Sequence, residues 1–341
     1  MTFWEKNLPE PECGVRGRLA PSPTGFLHLG NAWAFWLAWL DARSHGGECV
    51  LRIEDLDPAR SKREYVEALV RDLTWLGLDW DYGPGSGAEG GNFFFQSGRT
   101  ALYQAALQLL QDRGLIYPCY CTRKELRDIA GAPHVDDVGA PYPGFCRNLT
   151  EAEKERHESA GRRHSLRLVC PGDIRWQFTD LIHGQREMTL DQCGGDFALR
   201  RSDDVFAYQL AVVVDDIAMG VTRIVRGNDI QVSTPRQLYL YSLLGGAFPH
   251  YAHVPLVLDD SGERLAKRHA SLTLASLREA GVLPETLLGW LAAAAGMRER
   301  FEPLWAAEGL DGFSFSVIRP ECLTLPPDPV AFFLAAQGRG L

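Results

Sequence analysis

The chain has 341 residues, 45% hydrophobic and 23% charged, with a formal net charge of −9, the proportions of a soluble globular protein with room for two domains or one large domain carrying an insertion. The longest apolar run, residues 32–40, is too short to span a bilayer, and no basic segment precedes an apolar one at the N-terminus, so a cytoplasmic protein without membrane contact is expected. The acidic balance excludes a generic nucleic-acid coat, which needs Lys and Arg against phosphates, but leaves room for an RNA substrate met by one basic face.

In chain order, residues 14–20 (GVRGRLA) read as a short strand and Pro21-Ser22-Pro23-Thr24-Gly25 as a turn. A helix over residues 29–43 follows, apolar nearly all round and therefore buried, then a strand at residues 49–53 (CVLRI). Strand, helix, strand in so short a span is a βαβ unit and implies a parallel sheet with a right-handed crossover. Val66, Leu69, Val70, Leu73 and Leu76 at helical spacing predict a second helix from about Lys62. Residues 83–91 (GPGSGAEGG) read as a flexible loop, and residues 99–113 as a helix.

Eight cysteines without a secretory signal do not read as a disulfide framework. Cys119 and Cys121, with Cys146 further on, are spaced to meet a metal, zinc by their sulfur chemistry, although zinc wants four ligands. Residues 211–215 (AVVVD) and 223–225 are expected to be strands, and Ser233-Thr234-Pro235 an N-cap opening a helix to about Leu244. A strand at residues 254–258 precedes a loop, residues 259–268. Beyond it the chain reads as helices with an Ala-rich patch and a Pro-rich tail.

The junction of the first strand and first helix carries Arg18-Leu19-Ala20-Pro21-Ser22-Pro23-Thr24-Gly25-Phe26-Leu27-His28-Leu29-Gly30-Asn31. At that place a parallel α/β sheet meets its ligands, and free N–H groups with a positive dipole end suit a polyphosphate. This string resembles the HIGH region of class I aminoacyl-tRNA synthetases, and its glutamyl branch in particular. The resemblance continues at Arg52-Ile53-Glu54-Asp55-Leu56-Asp57, at residues 206–216 (FAYQLAVVVDD) and at Val225-Arg226-Gly227-Asn228-Asp229.

The resemblance implies an α/β fold: a Rossmann-like parallel-sheet catalytic core over residues 14–115 and 195–270, a zinc-type, acceptor-like subdomain inserted at 116–194, and a short helical C-terminal region at 271–341. It implies ATP and L-glutamate as substrates, with Mg²⁺ accompanying the nucleotide. Arg18, Leu19, Ala20, Pro21, Ser22, Glu54, Tyr208 and Arg226 would form the glutamate pocket. Glu54 would meet the ammonium, and Arg18, Tyr208 and Arg226 would share the carboxylates, since guanidinium forks suit them. His28, Gly30, Asn31, Arg264 and Lys267 would meet ATP, with His28 and Lys267 catalytic. Lys267 takes the place of the second lysine of the KMSKS loop. Arg264 stands for the first lysine, Ala266 for the serine, and Asn31 for the second histidine of HIGH.

Cys119-Tyr120-Cys121 with Tyr142-Pro143-Gly144-Phe145-Cys146 resembles the pattern of glutamyl-queuosine tRNA(Asp) synthetases, which implies one structural zinc on Cys119, Cys121, Cys146 and the Tyr142 hydroxyl. His134 is the rival fourth ligand. About seventy residues follow Arg268, too few for an anticodon-binding domain, so none is expected. The implied partner is tRNA(Asp) bearing queuosine, and the chain is expected to act as a monomer. Two alternatives stand beside this: a short glutamyl-tRNA synthetase charging a tRNA 3′ end, and a non-catalytic paralogue binding RNA or nucleotide.

Overall fold

The structure, a computed structural model, describes residues 8–86, 91–122, 124–126, 142–265 and 272–338. Strand β1 (Arg16–Leu19), helix α1 (Leu29–Ser44) and strand β2 (Glu48–Leu51) form the βαβ unit, with β1 and β2 parallel in the register Arg18↔Val50. Helix α1 is buried on nearly every side, as its sequence requires. Its tryptophans still satisfy their indole N–H groups: Trp33 donates to Pro255 O at 3.0 Å, and Trp36 to Ala306 O at 3.2 Å.

Helix α2 (Arg63–Trp75) and helix α3 (Thr100–Asp112) follow. Within the loop between them, residues 87–90 lie outside the described part. Then come β3 (Ile116–Cys119), α4 (Glu151–Ser159), β4 (Ser165–Leu168), β5 (Arg175–Asp180), β6 (Gly184–Thr189) and β7 (Phe197–Arg200). The antiparallel sheet β3-β4-β7 carries the cysteine-bearing segment. The β5–β6 hairpin, although inside the 116–194 span, extends another sheet in the order β6-β5-β9-β8.

The chain continues through α5 (Tyr208–Ala218), β8 (Arg223–Gly227), α6 (Thr234–Leu244), β9 (His250–Val254) and β10 (Val257–Leu258). Strands β8 and β9 are parallel, and β8 lies alongside β1, where Thr222 N–H donates to Arg16 O at 2.9 Å. Helices α7 (Leu274–Glu279), α8 (Pro284–Ala294) and α9 (Pro329–Gly338) complete the chain, with β11 (Leu323–Thr324) paired parallel to β10. Leu277, Leu287, Leu291 and Phe333 join the hydrophobic core around α1. No described helix is long and apolar enough to cross a membrane.

Two expected elements are corrected. The strand expected at residues 254–258 is divided: β9 ends at Val254 and β10 starts at Val257, with Pro255, which has no N–H to donate, between them. Residues 211–215 lie inside α5, not in a strand. Leu210 to Val214 are at most 1% exposed, packed on all sides against neighbours that include α3 and α6. A helix apolar all round loses its 3.6-residue signature, and three consecutive valines then read as a strand. Tertiary burial outweighs their modest helix penalty.

Candidate active site

A cleft of about 1530 Å³ opens at the carboxyl ends of β1 and β8. It is lined by Arg18, Ala20, Pro21, Ser22, His28, Gly30, Asn31, Glu54, Tyr208, Arg226 and Arg264, so residues far apart in sequence meet in one place. Leu19 does not line it. Side chains alternate along a strand, and Arg18 on the cleft side puts Leu19 into the core, where it is fully buried. Lys267 and Ala266 lie outside the described residues, as does His134.

His28 precedes the first turn of α1, and its backbone N–H donates to Asn31 Oδ1 at 3.0 Å. Asn31 therefore fixes the start of the helix while lining the cleft. A Cβ on Gly30 would come within 3.1 Å of the His28 ring. The glycine thus makes room for that imidazole to lie against the helix start. In the loop after β10, Asp259 Oδ1 accepts N–H bonds from Ser261 at 3.0 Å and Glu263 at 2.8 Å. The half-exposed Arg264 meets Asp229 at 2.6 Å, tying this loop to the end of β8.

Beneath the cleft lies a buried charge network that sequence reasoning missed. Arg52 reaches Asp216 at 2.6 Å, Glu54 at 3.0 Å and Asp215 at 3.7 Å. Asp215 also holds Arg99 at 2.5 Å and accepts from Gln96 and Tyr103. Arg18 Nη1 donates to Val225 O at 3.0 Å, and its Nε is 3.8 Å from Asp216. Burial raises the pKa of Glu54, with Arg52 and Arg18 opposing. Burial also raises that of Tyr208. A signal for the network was present: Asp215 and Asp216 close an otherwise apolar run, and a carboxylate at a core position demands a cation.

Arg226, 5% exposed, differs from Arg18, Arg52 and Arg99. Its Nε donates to His253 Nε2 at 3.0 Å, Nη1 to Gln237 Oε1 at 2.6 Å and Nη2 to Thr234 Oγ1 at 2.8 Å. All three partners are uncharged, because burial pushes the His253 pKa down to about 4. A buried cation surrounded by neutral acceptors is costly unless an anion completes it. The arrangement suits the arrival of a carboxylate.

The second cluster sits at the end of β3. The sulfurs of Cys119, Cys121 and Cys146 lie within 4.8 Å of one another, with Cys121 to Cys146 at 3.7 Å. The Tyr142 hydroxyl is 3.3 Å from Cys119 Sγ and 3.8 Å from Cys121 Sγ. Four ligands at about 2.3 Å in a tetrahedron place sulfurs roughly 3.8 Å apart, so three sulfurs and a phenol oxygen fit zinc. Burial works against ionisation, yet Arg167 and the Tyr142 bond hold the Cys119 thiol below its usual pKa. Cys121 is pushed up to about 12 by burial and by Cys119.

Residues 14–311 match the family of class I tRNA synthetases (E and Q), catalytic domain. A glutamyl-Q tRNA(Asp) synthetase of Nitratidesulfovibrio vulgaris is 56% identical, over 92% of this chain and 96% of its own length. One of Symbiobacterium thermophilum is 48% identical, over 92% and 97%. Among solved structures, a glutamate tRNA ligase from Elizabethkingia meningosepticum in complex with its amino acid superposes with a TM-score of 0.77 at 26% identity, covering 94% of this chain and 68% of that one.

Proposed function

The chain belongs to the class I tRNA synthetases for glutamate and glutamine, and from that premise we propose that it activates L-glutamate with ATP and passes the glutamyl group to the queuosine base of tRNA(Asp). The observation that carries glutamate recognition is the buried Arg226, held by neutral partners in the same cleft as Arg18, Glu54 and Tyr208. Arg18, Tyr208 and Arg226 share the two carboxylates of the amino acid, and Glu54 receives its ammonium.

In the first step an α-carboxylate oxygen of glutamate attacks the α-phosphorus of ATP, and pyrophosphate leaves; Mg²⁺ arriving with the nucleotide would neutralise part of the phosphate charge. His28, the N-terminus of α1 and Lys267 stabilise charge on the phosphates. In the second step a hydroxyl of the queuosine ring attacks the adenylate carbonyl carbon, and AMP leaves. Catalysis is positioning and charge stabilisation, with no protein nucleophile. Zinc on Cys119, Cys121, Cys146 and Tyr142 would supply folding energy to a segment with little apolar core of its own.

The queuosine acceptor is supported by the relatives named glutamyl-Q tRNA(Asp) synthetase and by a tyrosine hydroxyl among the three cysteines. Glutamate-dependent ATP–pyrophosphate exchange without RNA tests the first step, and its absence would sink the enzymatic reading. Labelled glutamate offered to tRNA(Asp) with and without queuosine tests the second. Label that ignores queuosine would assign the protein to 3′-end charging instead.

A further inference from the structure

Arg226 is oriented by a buried chain of bonds that no step above uses. His253 on β9 and Asp180 at the end of β5 are both fully sealed from solvent. Asp180 Oδ2 lies 2.5 Å from His253 Nδ1 and also accepts the His253 backbone N–H at 3.1 Å. Its Oδ1 accepts backbone N–H bonds from Ile182 at 3.0 Å and His183 at 2.9 Å. With this many donors converging, the carboxylate stays ionised and can only accept.

The proton between the two residues therefore sits on Nδ1, and Nε2 keeps its lone pair. That lone pair faces Arg226 Nε, an obligate donor, at 3.0 Å. An imidazole protonated on Nε2 would set N–H against N–H and turn the guanidinium away. Around the ring, Tyr251 stacks at 5.9 Å and Phe178 packs edge-on at 6.3 Å, so the imidazole cannot swing freely. Gln237, the Nη1 acceptor, is itself fixed by Gln209, which is held by Ser233 at 2.9 Å.

We infer that Asp180 and His253 are positioning residues for amino-acid recognition: Asp180 selects the His253 tautomer, and the bare Nε2 sets the plane in which Arg226 meets a substrate carboxylate. This rests on the reading of Arg226 as a glutamate-binding residue.

Two measurements test it. In the ligand-free wild-type protein at pH 7, imidazole ¹⁵N spectra are expected to show His253 protonated on Nδ1 and bare at Nε2. An Nε2–H tautomer or an imidazolium would overturn the inference whether or not the protein turns over. For recognition, His253→Phe keeps a ring without an acceptor, Asp180→Asn offers an N–H that favours the opposite tautomer, and His253→Gln restores an acceptor oxygen near the Nε2 position. In ATP–pyrophosphate exchange, KM for glutamate should rise about tenfold or more in His253→Phe and Asp180→Asn, the scale of one hydrogen bond to a charged group. KM for ATP should stay within about twofold, and His253→Gln should recover most of the loss. Equal impairment in His253→Phe and His253→Gln, or an unchanged KM for glutamate in His253→Phe, overturns it. Wild-type protein without exchange would overturn the proposed reaction, and with it glutamate as the anion. The spectra would still judge the Asp180–His253–Arg226 chain separately.

Discussion

Arg52 Nη1 meets Asp216 Oδ1 at 2.6 Å with both side chains almost wholly sealed from solvent. The same carboxylate oxygen lies 3.8 Å from Arg18 Nε, so Asp216 is the anion shared by two buried guanidiniums under the cleft. Asp216→Ala leaves Arg52 with Glu54 and Asp215 but takes from Arg18 its carboxylate neighbour, and breaking a buried pair typically costs about 3–5 kcal/mol. Urea denaturation should show a loss of that size. The exposed pair Arg63–Glu67, broken by Glu67→Ala, should cost less than about 1 kcal/mol in the same measurement. Comparable losses in the two variants would remove the network from the account of stability.

The buried polar groups around the cleft differ in how far the sequence discloses them. Arg18, Glu54, Tyr208 and Arg226 stand in contiguous strings whose residue types match a phosphate- and carboxylate-binding task, so they could be read in advance, and they line one cleft. Asp180 and His253 stand alone in sequence and meet only because β5 pairs with β9. Leu19 belongs to the same string, but strand alternation turns its side chain to the core. The valine run of α5 reads as a strand because burial on every side erases the pattern that separates helix from strand. Pro235 falls in the first turn of α6 as its fixed φ allows, but Ser233 caps nothing, because a 3-10 turn over Asn228–Ser233 runs straight into the helix.

The cysteine cluster yields a prediction about metal. Protein purified without chelator should carry one zinc per chain, read by elemental analysis. Tyr142→Phe removes an oxygen that lies 3.3 Å from Cys119 Sγ and also accepts the Cys146 backbone N–H at 2.9 Å. Competition with a chromogenic chelator should then show zinc affinity falling at least about tenfold, a scale reached even by losing an outer hydrogen-bond partner of a ligand. Retention equal to wild type would hand the fourth position to another group. Chelation of wild-type protein should lower the thermal midpoint, because metal affinity is folding energy for such a segment.

Glu54 gives the pH dependence. Burial raises its pKa above the ordinary value of 4.5, Arg52 and Arg18 notwithstanding. As pH falls, Glu54 thus takes its proton earlier than a solvated glutamate and loses the charge that pairs with the substrate ammonium. KM for glutamate should rise toward acid with an inflection above 4.5. The substrate's side-chain carboxyl titrates at about 4.3 and contributes in any variant, so the comparison with Glu54→Gln isolates the protein group. That variant should have a raised KM at neutral pH and lack the upper inflection. A profile identical in shape to wild type would assign the inflection elsewhere.

Lys267 and Arg264 stand three residues apart in the sequence, yet they are expected to contribute unequally. Arg264 is already engaged with Asp229 at 2.6 Å and is more than half exposed, so solvent and that carboxylate screen its charge from the phosphates. Lys267 is assigned by sequence to the charge that grows as pyrophosphate departs. Removing one preorganised donor to such a charge costs about 10²–10³ in kcat. Lys267→Ala should slow exchange by that order with KM for glutamate and the thermal midpoint nearly unchanged, and Arg264→Ala should slow it by less than about tenfold. An exchange rate within about twofold of wild type in Lys267→Ala would refute its role. If Arg264→Ala instead costs as much as Lys267→Ala, the Asp229 pair must open during the reaction and release Arg264 to the nucleotide. Asp229→Ala would then raise the exchange rate by sparing that step.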